Sequence, residues 1–201
     1  GNIATAEGAY QEAAQYLDKA SKLKGAENEV VYSRAKLLVA EGKKDDAISS
    51  LRAFIDKNPA DVPALALWFA LATEKGNAEQ VIKHTQQQFN AKKGDLNLRL
   101  LLARMYSLNN QLDKTVSLLS DVEGNEASPQ AFWNLKGQAL IATNNVEDAT
   151  AFFDRWLSFY PQDKNAVLGK LLIVDSQKQF DQGLTLTNKV LAKRPDAQLT
   201  L

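Results

Sequence analysis

Apolar residues recur along this chain at intervals of three and four, the spacing that gathers them on one face of a helix. Between Asn28 and Asp61, Val31, Ala35 and Leu38 mark one such face, and Ala47, Ile48, Leu51, Phe54 and Ile55 mark another. Glu41-Gly42-Lys43 lies between them, with Gly42 able to take the left-handed conformation that ends a helix. The pattern predicts two short helices joined by a tight turn. Turn signals of the same kind recur at Lys75-Gly76-Asn77, Asn109-Asn110 and Asn144-Asn145, Asn being a common substitute for glycine there. Helix starts are signalled by Asp61-Val62-Pro63, by Asp95 and by Ser128-Pro129, the last read as an N-cap followed by Pro at the first helical position.

The clearest unit is Gln130 to Asp163. It carries Trp133, Gly137, Leu140, Ala149, Phe153, Trp156 and Pro161 at offsets 4, 8, 11, 20, 24, 27 and 32 of a thirty-four-residue frame. Small Gly137 and Ala149 suit the place where two antiparallel helices approach most closely, and the large aromatics fill the space around that pair. The same frame divides the chain into units 28–61, 62–95, 96–129, 130–163 and 164–197 with no insertion or deletion. Offset 32 holds Pro59, Pro161 and Pro195; offset 20 holds Ala47, Val81, Thr115, Ala149 and Gly183. Carried backwards, the frame makes 1–27 a partial repeat with Gly1 at offset 8 and Gly8 at offset 15, so the chain is expected to open partway along a first helix. Carried forwards, it makes 198–201 the start of a truncated further repeat. Both ends read as cut from a longer array, although an expression scar could also begin with Gly.

This set of residues resembles the tetratricopeptide repeat (TPR), whose signature places an aromatic, a small and a large apolar residue on one helix and Ala, an aromatic and a terminal Pro on the next. The resemblance implies an all-α fold, a right-handed superhelix (an α-solenoid) of about twelve helices in antiparallel pairs. It also implies a concave groove lined by the first helix of each pair, where a protein or peptide segment lies. Transferred by position, the groove would show Tyr32, Ser33 and Lys36; Ala66, Leu67 and Ala70; Leu100, Leu101 and Arg104; Asn134, Leu135 and Gln138; and Leu168 and Leu172. The residues named as peptide-contacting are Tyr32, Lys36, Leu67, Ala70, Leu101, Arg104, Asn134 and Gln138. An equally open reading is that Leu67, Leu101 and Leu135 pack between neighbouring first helices. The Lys and Asn clamp by which one variant of the family grips a C-terminal carboxylate is missing from the matching positions. The uninterrupted run of divergent units is also similar to long bacterial arrays, among them lipoproteins linked to the PEP-CTERM export system, which would place the chain in a bacterial periplasm or cell envelope.

Two segments depart from the pattern. VPALALWFALA, from Val62, is apolar on every side, so either both faces are covered or one is an apolar binding surface. Its partner AEQVIKHTQQQFNA, from Ala78, puts Thr85 and Gln88 where bulk is wanted and reads as the softest interior helix.

Composition narrows the function. Of 201 residues 45% are hydrophobic and 24% charged, a globular balance, and 24 Lys and Arg match 24 Asp and Glu, which disfavours a nucleic-acid partner. Without cysteine there is no thiolate metal site, redox pair or cysteine nucleophile. The single histidine, His84, falls on the polar face of the soft helix and reads as a solvated surface residue. Asp45-Asp46 and Glu147-Asp148 sit where second helices begin and complement the helix dipole. No apolar run reaches the length of a membrane span. No enzyme, metal or cofactor is expected. The reading is a non-catalytic binding scaffold, with a self-association or spacer module, or the targeting arm of an enzyme, as alternatives; exposed end repeats could support a homodimer.

Overall fold

The computed structural model describes residues 2–192, so Gly1, residues 193–197 with Pro195, and the further repeat placed at 198–201 lie outside the described residues. The described chain is all-α. Its helices are α1 (Asn2–Ala20), α2 (Glu27–Ala40), α3 (Lys44–Ile55), α4 (Val62–Glu74), α5 (Ala78–Ala91), α6 (Leu96–Leu108), α7 (Leu112–Leu119), α8 (Gln130–Ala142), α9 (Val146–Phe159), α10 (Lys164–Ser176) and α11 (Phe180–Leu191). First helices begin at residues 27, 62, 96, 130 and 164, and second helices at 44, 78, 112, 146 and 180. Apart from one residue at α2, every step is thirty-four.

Each first helix ends in the same way. Gly42, Gly76, Asn110, Asn144 and Lys178 all have positive φ, between 53° and 79°. At each, the following N–H reaches back to a carbonyl five residues earlier: Lys43 to Leu38 at 2.8 Å, Asn77 to Ala72 at 2.8 Å, Gln111 to Tyr106 at 2.8 Å, Asn145 to Leu140 at 3.1 Å and Gln179 to Val174 at 2.9 Å. This Schellman closure satisfies carbonyls that the helix leaves open and reverses the chain within three residues, so the second helix returns antiparallel along the first. Lys178 holds the conformation without the residue type that favours it. Lys178→Gly is therefore expected to raise stability by about 1 kcal/mol, since a β-carbon is strained there. Urea denaturation measures the change; a loss of stability would show that Lys178 makes a compensating contact.

Helix starts rest on aspartates. The side chain of Asp61 accepts from Ala64 N at 2.9 Å, Asp95 from Leu98 N at 3.0 Å, and Asp163 from Asn165 N and Ala166 N at 2.9 and 3.0 Å. Ser128 does not cap its helix. Its hydroxyl accepts from Asn125 N at 3.0 Å inside the preceding loop, and Pro129, extended at φ −65° and ψ 148°, is itself the residue before α8. Residues 2–20 form one unbroken helix through Gly8, which the frame carried backwards places at offset 15, the offset of the turn glycines Gly42 and Gly76. A single glycine costs a helix about 1 kcal/mol, which Ala, Gln, Leu and Glu on its C-terminal side outweigh; the positive-φ glycine of this region is Gly25, in the loop before α2.

The chain separates into two compact units, Gly1–Met105 and Tyr106–Leu201, with the boundary inside α6. In the first unit α2 packs on α1, α3 and α4, and α4 on α3 and α5. Ala35, Ala47, Leu51, Ile55, Leu65, Val81 and Ile82 form its interior, each no more than 1% exposed. The all-apolar α4 buries Ala64, Leu65, Trp68, Phe69, Leu71 and Ala72, so most of its circumference is covered.

In the second unit α8 packs on α7, α9 and α10, and α10 on α9 and α11. Trp133, Phe152, Phe153 and Trp156 form its aromatic core. Helix α7 has eight residues and buries only Thr115 and Leu119, against five buried side chains on α5. The least anchored of the two is thus α7, because Thr85 of α5 is fully buried with its hydroxyl donating to Val81 O at 2.9 Å. Beyond α7 a loop of residues 120–129 takes the place of a longer second helix and is tied down from α8 and α9. Lys136 Nζ donates to Leu119 O at 2.8 Å and Val122 O at 3.0 Å, Arg155 Nε donates to Gly124 O, and Tyr160 Oη donates to Glu126 O at 2.6 Å. Gly124 lies flat on Trp133; a β-carbon there would stand 2.2 Å from the indole ring.

Candidate functional site

Successive first helices touch directly, α2 with α4 in the first unit and α8 with α10 in the second. Side chains at intermediate offsets fill these contacts, and those between them face outward. In the first unit Ser33, Lys36, Ala70 and Arg104 are exposed and Ala66, Leu67 and Leu101 half-buried. Leu67 and Leu101 thus give part of their surface to packing and keep part at the surface. Leu100, their neighbour in the frame, is buried at 8% exposure and belongs to the interior. In the second unit Gln138 is exposed, Asn134 and Leu135 are half-buried, and Leu168 and Leu172 stand out at 40% and 57% exposure. Asn165 Nδ2 donates to Asn134 Oδ1 at 3.0 Å, which fixes the Asn134 side chain across the α8–α10 seam.

Tyr32 is placed differently from the other groove positions. It is 8% exposed, its ring meets Phe54 edge-on at 6.0 Å, and its hydroxyl lies 2.7 Å from both Asp61 carboxylate oxygens. The same carboxylate caps α4, so Tyr32 joins α2, α3 and the start of α4. Burial, then the hydrogen bond and charge of Asp61, hold the Tyr32 hydroxyl above the ordinary tyrosine range. A phenol in the unfolded chain ionises near pH 10 while the folded one keeps its proton. The stability this group contributes is therefore complete below about pH 10 and is lost as pH rises beyond it. Urea denaturation above pH 10 is expected to show a falling stability whose slope decreases in Tyr32→Phe, by no more than about 1.4 kcal/mol per pH unit. An unchanged slope would contradict this.

His84 is half-buried rather than solvated. Its ring meets Trp68 edge-on at 5.7 Å and its Nε2 lies 3.2 Å from Pro59 O, so that nitrogen carries the hydrogen. Asp45 and Asp46, like Glu147 and Asp148, lie in the first turns of α3 and α9. Lys75 pairs with Asp45 and Lys44 with Glu74, two exposed bridges between α3 and α4. Among the described residues no three His, Asp or Glu side chains are grouped to hold a metal ion, and no helix is long and apolar enough to cross a membrane.

The tetratricopeptide repeat family model matches residues 100–164. Residues 100–164 carry the tetratricopeptide repeat pattern. Proteins of this family are generally non-catalytic scaffolds that bind protein partners. No curated protein sequence matches the chain. Among solved structures it is similar to a tetratricopeptide repeat protein from Parabacteroides merdae, at 18% identity and a TM-score of 0.61 over 86% of this chain and 68% of that one. It is similar also to the Cut9–Hcn1 hetero-tetramer of the APC/C, at 18% identity and a TM-score of 0.55 over 96% of this chain and 38% of that one. A thermophilic TPR protein from Thermus thermophilus gives 17% identity and a TM-score of 0.51 over 84% of this chain and 92% of that one. At these identities the likeness is one of fold, and the repeat chain here spans well under half the length of the Cut9–Hcn1 chain it matches.

Proposed function

We propose that this TPR chain holds an extended or helical protein segment against the outward faces of its first helices. The observation that carries the reading is the strip left where first helices adjoin. In the first unit Ala66, Leu67 and Ala70 of α4 and Leu101 of α6 keep small and apolar surface at least partly exposed, as Lys36 of α2 and Arg104 of α6 keep their charges. In the second, Leu168 and Leu172 supply it beside the amides of Asn134 and Gln138. Shallow apolar ground with isolated polar groups suits a segment whose side chains settle between helices while its backbone is hydrogen-bonded. Tyr32 serves this surface by fixing α2 against α4 rather than by offering its hydroxyl.

Panning a displayed peptide library on the wild-type chain is expected to enrich sequences that the variant Leu101→Glu with Arg104→Glu fails to retain. Both side chains keep contact with solvent, so the double variant should stay within about 1 kcal/mol of wild-type stability. Equal retention by both proteins would refute the assignment, and collapse of the fold would show the two side chains to be core.

Self-association is the second reading, favoured by Phe180 and Leu184, which α11 presents at 63% and 62% exposure beside Leu172 of α10. Light scattering on the wild-type chain separates the readings: a dimer that competes with peptide capture favours this one.

A further inference from the structure

An open cleft of about 210 Å³ lies between α3 and α5 of the first unit, away from the residues assigned to peptide capture, with Trp68 of α4 among its lining residues. Its charged groups are Arg52 and Asp56 on one side and Lys83 on the other; Gln80 and Gln87 complete the α5 wall and His84 closes the end toward Pro59. Arg52 holds its guanidinium over the Trp68 ring, 5.7 Å from the centroid, a cation–π contact that does not use its N–H bonds. Among the described residues neither Arg52 nor Lys83 has a carboxylate partner, although both flank the same opening. Two cations against one carboxylate leave the lining of the opening with a single positive charge in excess.

We propose that this cleft is a carboxylate-binding site, taking a monoanionic acid with an apolar body. The guanidinium fork of Arg52 pairs with both oxygens of a carboxylate, and Lys83 adds a point charge from the opposite wall. Trp68, 5% exposed, and the half-buried His84 line the part of the opening that takes the apolar body of the ligand. Asp56 sets the charge: a single negative charge balances the excess, whereas a phosphate dianion meets the repulsion of Asp56 without a third cation to offset it. The assignment stands whether or not the first-helix faces hold a peptide, because the two surfaces share none of their residues.

The test is an NMR titration of the whole chain with benzoate, read at the Trp68 indole N–H, which is identified by its loss in Trp68→Phe, and at the backbone amides of residues 80–87. Benzoate is expected to give saturable shifts, and neutral benzamide, of the same shape, none. Lys83→Gln and Arg52→Gln should each weaken benzoate about tenfold, the loss of one charge-assisted contact of about 1.4 kcal/mol. Asp56→Asn should tighten it. Lys83 is not among the groups stacked on Trp68, so its variant remains a test even if Arg52→Gln disturbs the packing. Inorganic phosphate should bind more weakly than benzoate. Equal binding of benzamide would make the cleft an apolar slot, stronger binding of phosphate would overturn the charge argument, and absence of saturation or indifference to Lys83→Gln would overturn the site.

Discussion

Trp156→Ala is expected to destabilise the second unit by about 3–5 kcal/mol, enough to unfold a domain of ordinary stability. Trp156 is 1% exposed and lies between two rings, Trp133 stacked at 5.6 Å and 24° on one side and Phe153 stacked at 5.7 Å and 16° on the other, with Phe152 edge-on at 6.0 Å. Removing the indole takes away contacts on both faces, and the three rings that remain are themselves held by neighbours, so the gap cannot close without moving α8 against α9. Trp133 also supports Gly124 of the loop after α7, so the loss should spread to residues 120–129. Urea denaturation followed by circular dichroism reads the stability, and hydrogen exchange at residues 120–129 reads the spread. A cost below about 1 kcal/mol would mean that the cluster repacks and is not the rigid centre of the unit.

Gly169→Ala is expected to be destabilising by about 1–3 kcal/mol, against the rule that alanine strengthens a helix. A β-carbon at position 169 of α10 would stand 2.1 Å from Phe153 Cε1 and 2.3 Å from Cζ. Phe153 cannot give way, being stacked on Trp156 and edge-on to Phe152 at 5.6 Å. Gly183→Ala in α11 is the control. There the nearest atoms would be Val174 Cγ1 at 3.4 Å and Leu171 Cδ2 at 3.7 Å, ordinary contact distances, so the substitution should gain up to about 1 kcal/mol from helix propensity alone. Two glycines on neighbouring helices thus answer the same change with opposite sign, and thermal denaturation of both variants should show it. A gain at both positions would mean that propensity rather than the α9–α10 contact governs them.

What could be read in advance was what a short window carries. Glycine or asparagine at 42, 76, 110 and 144 announced the reversals because those residue types tolerate positive φ. Lys178, in the same conformation at the same place, announced nothing, since lysine has no local preference for it; only the recurrence of thirty-four residues pointed there. Asp61 and Asp95 were legible as helix starts, the cap at Asp163 emerged only from the structure, and Ser128 was misread because its competitor for the hydroxyl, Asn125, lies in a loop whose shape no pattern specifies. The reach of α1 through Gly8 shows the limit of a frame extended beyond the residues that support it. For the candidate faces, the offsets distinguished first helices from second but could not tell Leu100 from Leu101, where one step of 100° around a helix separates interior from surface.

By itself, then, the order of amino acids determined the helical period, the length of each pair and the turns that return it, because each depends on residues within a few positions of one another. Tertiary packing alone decided that the Tyr32 hydroxyl is taken by Asp61, that Gly169 has no room for a methyl group while Gly183 does, and that Arg52, Lys83 and Trp68 share one cleft. Those outcomes depend on which side chains meet across helices, where a few tenths of an ångström change the sign of an energy, and a repeat that drifts in sequence carries no local record of them.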